Sequence, residues 1–182
     1  MRIGKALAAA ALCATLAPAA PGDSPGTPAL GTTPNAHTLA TRDTLVFPDG
    51  RGLPPGSGTV AMGRDLFARQ CVACHGEGGR GGPGGELAGG DPDLTRDQPD
   101  KTIGTYWPYA TTLFDFIRRS MPLNAPWSLD NDHVYALVAY LLDVNGIEVP
   151  AATLDAAKLA AVKMPNRDGF RWVDVTPPDQ AD

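Results

Sequence analysis

The chain has 182 residues, with 15 Lys or Arg against 20 Asp or Glu, which gives a formal net charge of −5 at pH 7. An acidic balance of this kind argues against nucleic acid as a partner. The length suffices for one domain with a real core but is poor material for two.

The N-terminus has the parts of a secretory signal. A short basic start is followed by an alanine-rich apolar run at 6–17 and by small residues, and cleavage is predicted after Ala19, with Ala20 as the alternative. The run is too short to span a bilayer, so no transmembrane segment is expected once the signal peptide, 1–19, is removed. Cleavage also removes Cys13. We therefore expect a periplasmic protein whose mature form holds two cysteines.

Residues 20–57 form a lead that is rich in Pro, Gly and Thr and has no sustained periodicity. This composition predicts a flexible segment that becomes extended near 45–47. The predicted organisation is therefore this lead, a folded domain at 58–146, and a C-terminal extension at 147–182 whose role the sequence does not indicate.

The first predicted helix of the domain runs from an N-cap at Ser57 or Thr59 to Cys71. One face of this helix carries four residues at α-helical spacing: Gly63, Leu66, Phe67 and Cys71. A glycine inside a helix costs about 1 kcal/mol relative to alanine. Gly63 therefore either permits the close approach of another backbone or is simply tolerated.

Residues 71–75 read Cys-Val-Ala-Cys-His, which is typical of the covalent attachment site of a c-type haem. On a tight helical turn, the thiols of Cys71 and Cys74 reach two vinyl groups of one porphyrin, and His75 binds one face of the iron. The alternatives are a redox dithiol, half of a zinc or iron–sulfur site, or a disulfide. A four-cysteine site lacks ligands in the mature chain, and a redox dithiol normally lies between a strand and a helix. Because the motif occurs once, we predict one covalent haem c.

Glycine dominates residues 76–90, which predicts a loop that wraps one edge of the haem. A phosphate-binding loop is excluded because no strand precedes the glycines and no Lys-Ser or Lys-Thr pair follows them. A haem histidine usually donates its free ring nitrogen to a backbone carbonyl. We expect that carbonyl near Gly82 and Pro83.

A second helix is predicted from Thr111 or Thr112 to about Ser120. Its apolar face consists of Leu113, Phe116 and Ile117.

The third predicted helix is the longest, with a cap at Ser128, an end at Asn145 and Gly146 as its terminator. Its wide apolar stripe consists of Val134, Leu137, Val138, Leu141 and Leu142. These elements predict an all-α protein with the class I cytochrome c fold. In this fold three main helices surround one covalent haem, here with long irregular N- and C-terminal extensions.

The second axial position of the iron decides how the haem is used. The sequence offers five candidates for it: His37, Met62, Met121, His133 and Met164. Met121 is favoured because it lies between the second and third helices, where Pro122 fixes the backbone beside a flexible thioether. Met164 also precedes a proline but follows the last predicted helix, and Met62 is expected in the core. His37 lies in the lead, and His133 lies at the solvated start of the third helix. With His75 and Met121 bound, the iron has no vacant site for a substrate, which favours electron transfer.

Aromatic and basic side chains flank the second predicted helix. Tyr106, Trp107 and Tyr109 either pack on the haem and bond a propionate or are ordinary core aromatics. Arg118 and Arg119 either pair with propionates or a partner's acidic rim or face solvent near the helix end.

Beyond the haem motif, several stretches of the chain carry a wider resemblance: 48–58, 87–90, 101–110, 118–122, 125–126, 128–129 and 164–170. In these stretches the chain resembles the cytochrome c subunits of bacterial molybdenum sulfite dehydrogenases and of the related sulfane dehydrogenase, the SoxD-like group. The resemblance spans about residues 45–170.

The resemblance implies a non-catalytic, periplasmic electron-transfer subunit. A molybdopterin-containing dehydrogenase subunit would oxidise a sulfur compound, and the haem here would pass the electrons singly to a soluble cytochrome c. The group's haem attachment and axial ligands map onto Cys71, Cys74, His75 and Met121. Two departures are a single haem where some relatives have two, and glycines at 84–85 where an aromatic–proline pair is expected. The alternatives are a generic mobile cytochrome c, a catalytic haem protein of sulfur oxidation, and a dithiol protein without haem.

Overall fold

The computed structural model of the protein describes residues 31–149 and 152–171. The predicted signal peptide, Cys13 and the first part of the lead lie outside the described residues. Within them the chain forms six helices and two short strands, together with one short 3-10 helix, Glu77–Gly79. No helix among the described residues is long and apolar enough to cross a membrane.

The lead contains a helix, α1 (Ala36–Arg42), in a segment predicted to be irregular. The side chain of Asn35 caps it by accepting a hydrogen bond of 2.8 Å from the backbone N–H of Thr38. The residues that follow, 43–47, form no regular structure. Val46 nevertheless packs against the core, and its N–H donates to the Asp115 carboxylate at 3.3 Å. The end of the lead is therefore joined to the domain by specific contacts.

Two short strands join the segment before the first main helix to the C-terminal extension. Strand β1 (Ser57–Gly58) pairs antiparallel with β2 (Leu154–Asp155). A Cβ on Gly58 would overlap the backbone N of Ala136, so only glycine permits this close approach to the longest helix. The pair therefore lies directly on that helix.

Helix α2 (Val60–Gln70) begins after Thr59, whose hydroxyl accepts a hydrogen bond of 3.2 Å from the N–H of Met62. Of the two predicted caps, Thr59 is therefore confirmed. A Cβ on Gly63 would overlap the Ala136 carbonyl oxygen of the longest helix. Gly63 thus permits the close approach of another backbone, which was the first of its two predicted roles.

A short helix, α3 (Val72–His75), follows α2, and the second main helix, α4, spans Ala110–Ser120. The prediction placed Phe116 on its buried face, but Phe116 is 46% exposed and Phe114 is fully buried. Phe114 packs on Tyr135 with 4.6 Å between the ring centroids. The buried stripe consists of Ala110, Thr111, Leu113, Phe114 and Ile117. The inward face is therefore turned toward Phe114 relative to the predicted one.

The third main helix, α5, spans Asn131–Val144. Its N-cap is Asp130, whose carboxylate accepts a hydrogen bond of 2.8 Å from the N–H of His133. The predicted cap at Ser128 is wrong, because that residue belongs to a turn in which its N–H donates to Ala125 O at 3.3 Å. The stop at Gly146 is confirmed, with φ of 68°. The five residues of the predicted stripe are all buried.

The C-terminal extension completes the core. Helix α6 (Ala156–Ala161) follows β2 directly. Four apolar side chains of this segment belong to the main hydrophobic cluster and are buried: Leu154, Leu159, Val162 and Met164. No role was predicted for this segment, and in the structure it is part of the packing around α4 and α5.

Candidate haem site

The Cys-Val-Ala-Cys-His motif lies on a tight helical turn, as predicted. Cys71 ends α2, and a separate short helix, α3 (Val72–His75), follows at once. The N–H groups of Cys74 and His75 both donate to Cys71 O, at 3.1 and 2.9 Å. Cys71 packs against the core, whereas Cys74 is exposed. Both thiols therefore lie on one turn at the edge of the core.

The thiol of Cys71 lacks the lowered pKa of a reactive cysteine in a redox dithiol. Burial, with a smaller contribution from the neighbouring Cys74, raises the pKa of Cys71 to about 11. Reactive dithiols instead contain a cysteine whose pKa is lowered, so that the nucleophilic thiolate is present near neutral pH. The environment of Cys71 suits a sulfur that ends in a covalent thioether.

The imidazole of His75 is oriented by a backbone carbonyl. Its Nδ1 lies 3.2 Å from Gly85 O, and because a carbonyl can only accept, Nδ1 carries the proton. The lone pair of Nε2 is then available for a metal. The carbonyl was predicted near Gly82 and Pro83, two to three residues too early.

The glycine loop follows the backbone of the motif closely. The N–H of Gly84 donates to Cys74 O at 2.6 Å, and a Cβ on Gly82 would overlap the same oxygen. The carbonyl that reaches His75 therefore comes from the next residue, Gly85. A Cβ on Gly84 would lie 3.2 Å from His75 Cε1, so glycine keeps the space beside the imidazole open where the resemblance led us to expect an aromatic–proline pair.

Polar side chains that the sequence reasoning missed hold the far end of this loop. Asn145 donates from Nδ2 to Leu87 O at 3.2 Å. Thr102, which is buried, donates from Oγ1 to Gly89 O at 2.7 Å. Both residues are uncharged and belong to no periodic pattern, so the sequence does not mark them as part of the site. The preference of asparagine for helix ends was the one indication for Asn145.

The five candidates for the second axial position lie in different environments. Met121 ends α4 in extended conformation, is partly buried against the core, and is joined to Pro122 by a cis peptide bond. Met164 is buried in the hydrophobic cluster. Met62 was predicted to fit the core, but it is 47% exposed. His133 lies 3.1 Å from the Asp130 carboxylate at the start of α5, and His37 lies in α1.

The three predicted aromatic residues are all partly buried, and two of them contact the C-terminal segment. Tyr106 packs edge-on against Phe170 at 5.3 Å between centroids, and the Arg167 guanidinium lies 4.2 Å from the ring centre of Tyr109. The ring of Trp107 lies edge-on to that of Phe116, at 5.8 Å.

The two arginines at the end of α4 also have partners within the chain. Arg118 lies 5.4 Å from the ring centre of Trp127. Arg119 forms an ion pair of 2.9 Å with Asp115 one turn back.

Comparison with known proteins shows the family of the chain. The family model described as cytochrome c matches residues 60–145. A chain in the crystal structure of the sulfane dehydrogenase SoxCD from Paracoccus pantotrophus is 42% identical, with a TM-score of 0.71, over 81% of this chain and 73% of that one. The protein belongs to the cytochrome c family.

This cytochrome c is also 32% identical over 92 residues to a thiosulfate dehydrogenase of Stutzerimonas stutzeri strain A1501. That match covers 48% of this chain and 28% of the relative. The cytochrome therefore spans little more than a quarter of the length of that curated relative.

Membership of the family confirms the predicted fold and the covalently bound haem c, for which Cys71 and Cys74 form the attachment motif. The residues present fit that cofactor. Both thiols lie on one helical turn, the Nε2 lone pair of His75 is free, and glycine leaves space beside the imidazole. When bound, haem c supplies a centre that gains or loses one electron at a time.

Proposed function

We propose that this cytochrome c is the electron-transfer subunit of a periplasmic sulfur-oxidising dehydrogenase. A molybdopterin-containing subunit that oxidises sulfite or a sulfane compound would deliver electrons to it, and a soluble cytochrome c would receive them. The observation that carries this proposal is the 42% identity, over 81% of the chain, to a chain in the structure of a sulfane dehydrogenase. The single haem motif adds that the electrons pass one by one.

We further propose His75 and Met121 as the axial ligands of the iron. The hydrogen bond from Nδ1 to Gly85 O supports His75, because it fixes the tautomer and raises the basicity of Nε2. The position of Met121 at the end of α4, outside the fully buried core, supports the second assignment. A thioether ligand raises the reduction potential relative to two nitrogen ligands, and a filled coordination sphere suits an iron that transfers electrons without binding substrate.

The ligand assignment is tested by comparing three methionine variants of the haem-loaded protein. Met121→Ala is expected to abolish the weak sulfur-to-iron charge-transfer band of the ferric protein. Met62→Ala, at an exposed position, and Met164→Ala, in the core, are the matched controls and are expected to keep the band. A band that persists in Met121→Ala and disappears in either control would reassign the ligand.

Periplasmic export is tested on the protein purified from cells. The composition of 1–19 supports cleavage after Ala19, so the intact mass of the haem-loaded chain is expected to match a protein that begins at Ala20. A mass that retains the first residues would contradict export by this route.

The partner is tested by co-expression with a molybdopterin-containing dehydrogenase subunit. In rapid mixing experiments, sulfite or thiosulfate is expected to reduce the haem only when that subunit is present. Omission of the subunit is the control, and a haem that stays oxidised in the complete mixture would contradict the proposed donor.

A catalytic role in thiosulfate oxidation is the second candidate, because a relative of 32% identity is a thiosulfate dehydrogenase. The same experiment decides between the two candidates. Reduction of the haem by thiosulfate without any other protein would favour catalysis by this chain. Reduction by neither arrangement would favour a generic mobile cytochrome c.

A further inference from the structure

Three separate segments of the chain meet at the side chain of Asn145. Its Nδ2 donates to Leu141 O at 2.8 Å, within α5, and to Leu87 O at 3.2 Å, in the glycine loop. Its Oδ1 accepts from the N–H of Gly104 at 3.1 Å. One neutral amide therefore joins the end of α5 to two segments that are 58 and 41 residues away in sequence.

The loop bond of Asn145 lies close to the histidine of the haem motif. Leu87, whose carbonyl accepts that bond, is two residues after Gly85, whose carbonyl accepts from His75. The N–H of Leu87 also donates to Gly79 O at 2.8 Å. The N–H of Ile103 donates to Leu87 O as well, at 3.2 Å. The chain between Gly84 and Leu87 is thus held at one end by Cys74 O and at the other by Gly79, Ile103 and Asn145, with Gly85 in between.

A role as a helix cap explains only part of this arrangement. The bond to Leu141 O stabilises the last turn of α5, and Gly146 ends the helix in the left-handed conformation. Neither requires the bonds to Leu87 and Gly104. A serine or glycine would end the helix as well, but a short side chain does not reach both segments.

We propose that Asn145 is a positioning residue for the axial histidine. By holding Leu87, it keeps Gly85 O in place to accept the Nδ1 proton of His75, and so it sets the basicity of Nε2 and the reduction potential of the haem. The inference rests on the proposed function in one respect, since it takes His75 as the axial ligand.

The experiment uses the haem-loaded, full-length protein with Asn145→Leu, which is neutral and of similar size. Loss of the bond to Leu87 weakens the hydrogen bond of His75, makes Nε2 less basic and stabilises the oxidised iron less. At a fixed solution potential, the ratio of reduced to oxidised haem is expected to rise at least about threefold. For a one-electron couple this is an increase in reduction potential of about 28 mV. Exchange of the His75 Nδ1 proton, measured by NMR, is expected to be about tenfold faster.

The matched control is Asp155→Ala. Asp155 caps α6 by accepting from the N–H of Lys158 at 3.0 Å, so this variant also loses a helix cap and unfolds at a lower temperature. It is expected to keep the potential and the proton exchange rate of the wild type. If Asn145→Leu does not fold, Asn145→Ser replaces it, because its hydroxyl can still bond to Leu141 O but is too short to reach Leu87.

The outcomes separate the inference from the ligand assignment. A wild-type potential and exchange rate in the Asn145 variants, with only a lower unfolding temperature, would show that the residue is a cap and would overturn the inference. A His75→Ala protein that keeps the wild-type haem absorption would instead remove His75 as the ligand, and with it the proposed ligand set.

Discussion

The helix pair α4 and α5 and the glycine loop after His75 are held in place by different forces. The helices bury apolar side chains, including all nine residues from Val134 to Leu142, and polar side chains contribute little between them. The loop has one fully buried apolar side chain, Ala88, and is held by backbone hydrogen bonds, close contacts at glycines and the side chains of Asn145 and Thr102. Truncation of a buried side chain should therefore lower the free energy of unfolding most in the helices. Addition of a side chain should lower it most at glycines that contact other backbone.

The largest effect is expected at Phe114, which is fully buried against Tyr135. Phe114→Ala should lower the free energy of unfolding by about 3–5 kcal/mol, measured by urea denaturation of the haem-loaded protein. Phe116→Ala, two residues along the same helix, is the control and should lose about 1 kcal/mol, because its ring is half exposed and forms an edge-to-face pair with Trp107 at the surface. Equal losses would mean that the two faces of α4 are not distinguished as described.

An added methyl group should be costly where α2 crosses α5. Gly63→Ala improves the helix propensity by about 1 kcal/mol, yet its Cβ overlaps Ala136 O, so the free energy of unfolding should fall by about 1–3 kcal/mol. The control is Ala61→Gly, at an exposed position in the same helix. It should lower the free energy of unfolding by about 1 kcal/mol through helix propensity alone. A stabilised Gly63→Ala protein in urea or thermal denaturation would show that the helices separate easily.

Two adjacent glycines test the loop. Gly82→Ala places a Cβ on Cys74 O, so it should lower stability by about 1–3 kcal/mol and alter the haem absorption through His75. Gly81→Ala has open space around its Cβ, so it should lower stability only through the strain of a φ of 74°, by about 1–2 kcal/mol. It should leave the haem absorption unchanged. An unchanged spectrum in Gly82→Ala would separate the loop from the histidine.

The smallest effect concerns Tyr135, where the helices meet the lead. Its O–H donates to Pro54 O at 2.8 Å, and Tyr135→Phe should lower the free energy of unfolding by about 1 kcal/mol at neutral pH. Burial raises the pKa of Tyr135 from 10.0 to about 12, so the neutral phenol is favoured in the folded state. The stabilisation is therefore complete below pH 10 and is lost as the pH rises from 10 to 12.

That pH dependence is measured by urea denaturation at a series of alkaline pH values. The difference between wild type and Tyr135→Phe should shrink above pH 10, since the phenylalanine has no proton to lose. A constant difference across this range would contradict the raised pKa.

The structure was predictable where buried apolar residues recur at the regular spacing of a helix. The stripe from Val134 to Leu142 and the stop at Gly146 were predictable because helix geometry repeats every 3.6 residues and glycine favours left-handed backbone. Phe114 and Phe116 could not be separated, because Phe116 lies three residues after Leu113 and Phe114 lies three residues before Ile117, so each has the spacing of a helical face. Asp130 and Ser128 are both good caps, and the choice depends on where the preceding turn closes.

In the site, chemistry was predictable and position was not. The residue types at 71–75 identify covalent haem without any knowledge of the fold. The carbonyl that receives the His75 proton is backbone, so no side chain identifies Gly85 in the sequence. Asn145 acts through bonds to remote segments, which leave no local pattern.

The buried residues of the C-terminal segment have a consequence for how the protein is made. Among the described residues, Leu154, Leu159 and Met164 are the last parts of the core to leave the ribosome. Until they arrive, the main hydrophobic cluster is incomplete and the earlier helices are not sealed. Cys71 and Cys74 therefore leave the ribosome before the cluster that Cys71 packs against is complete.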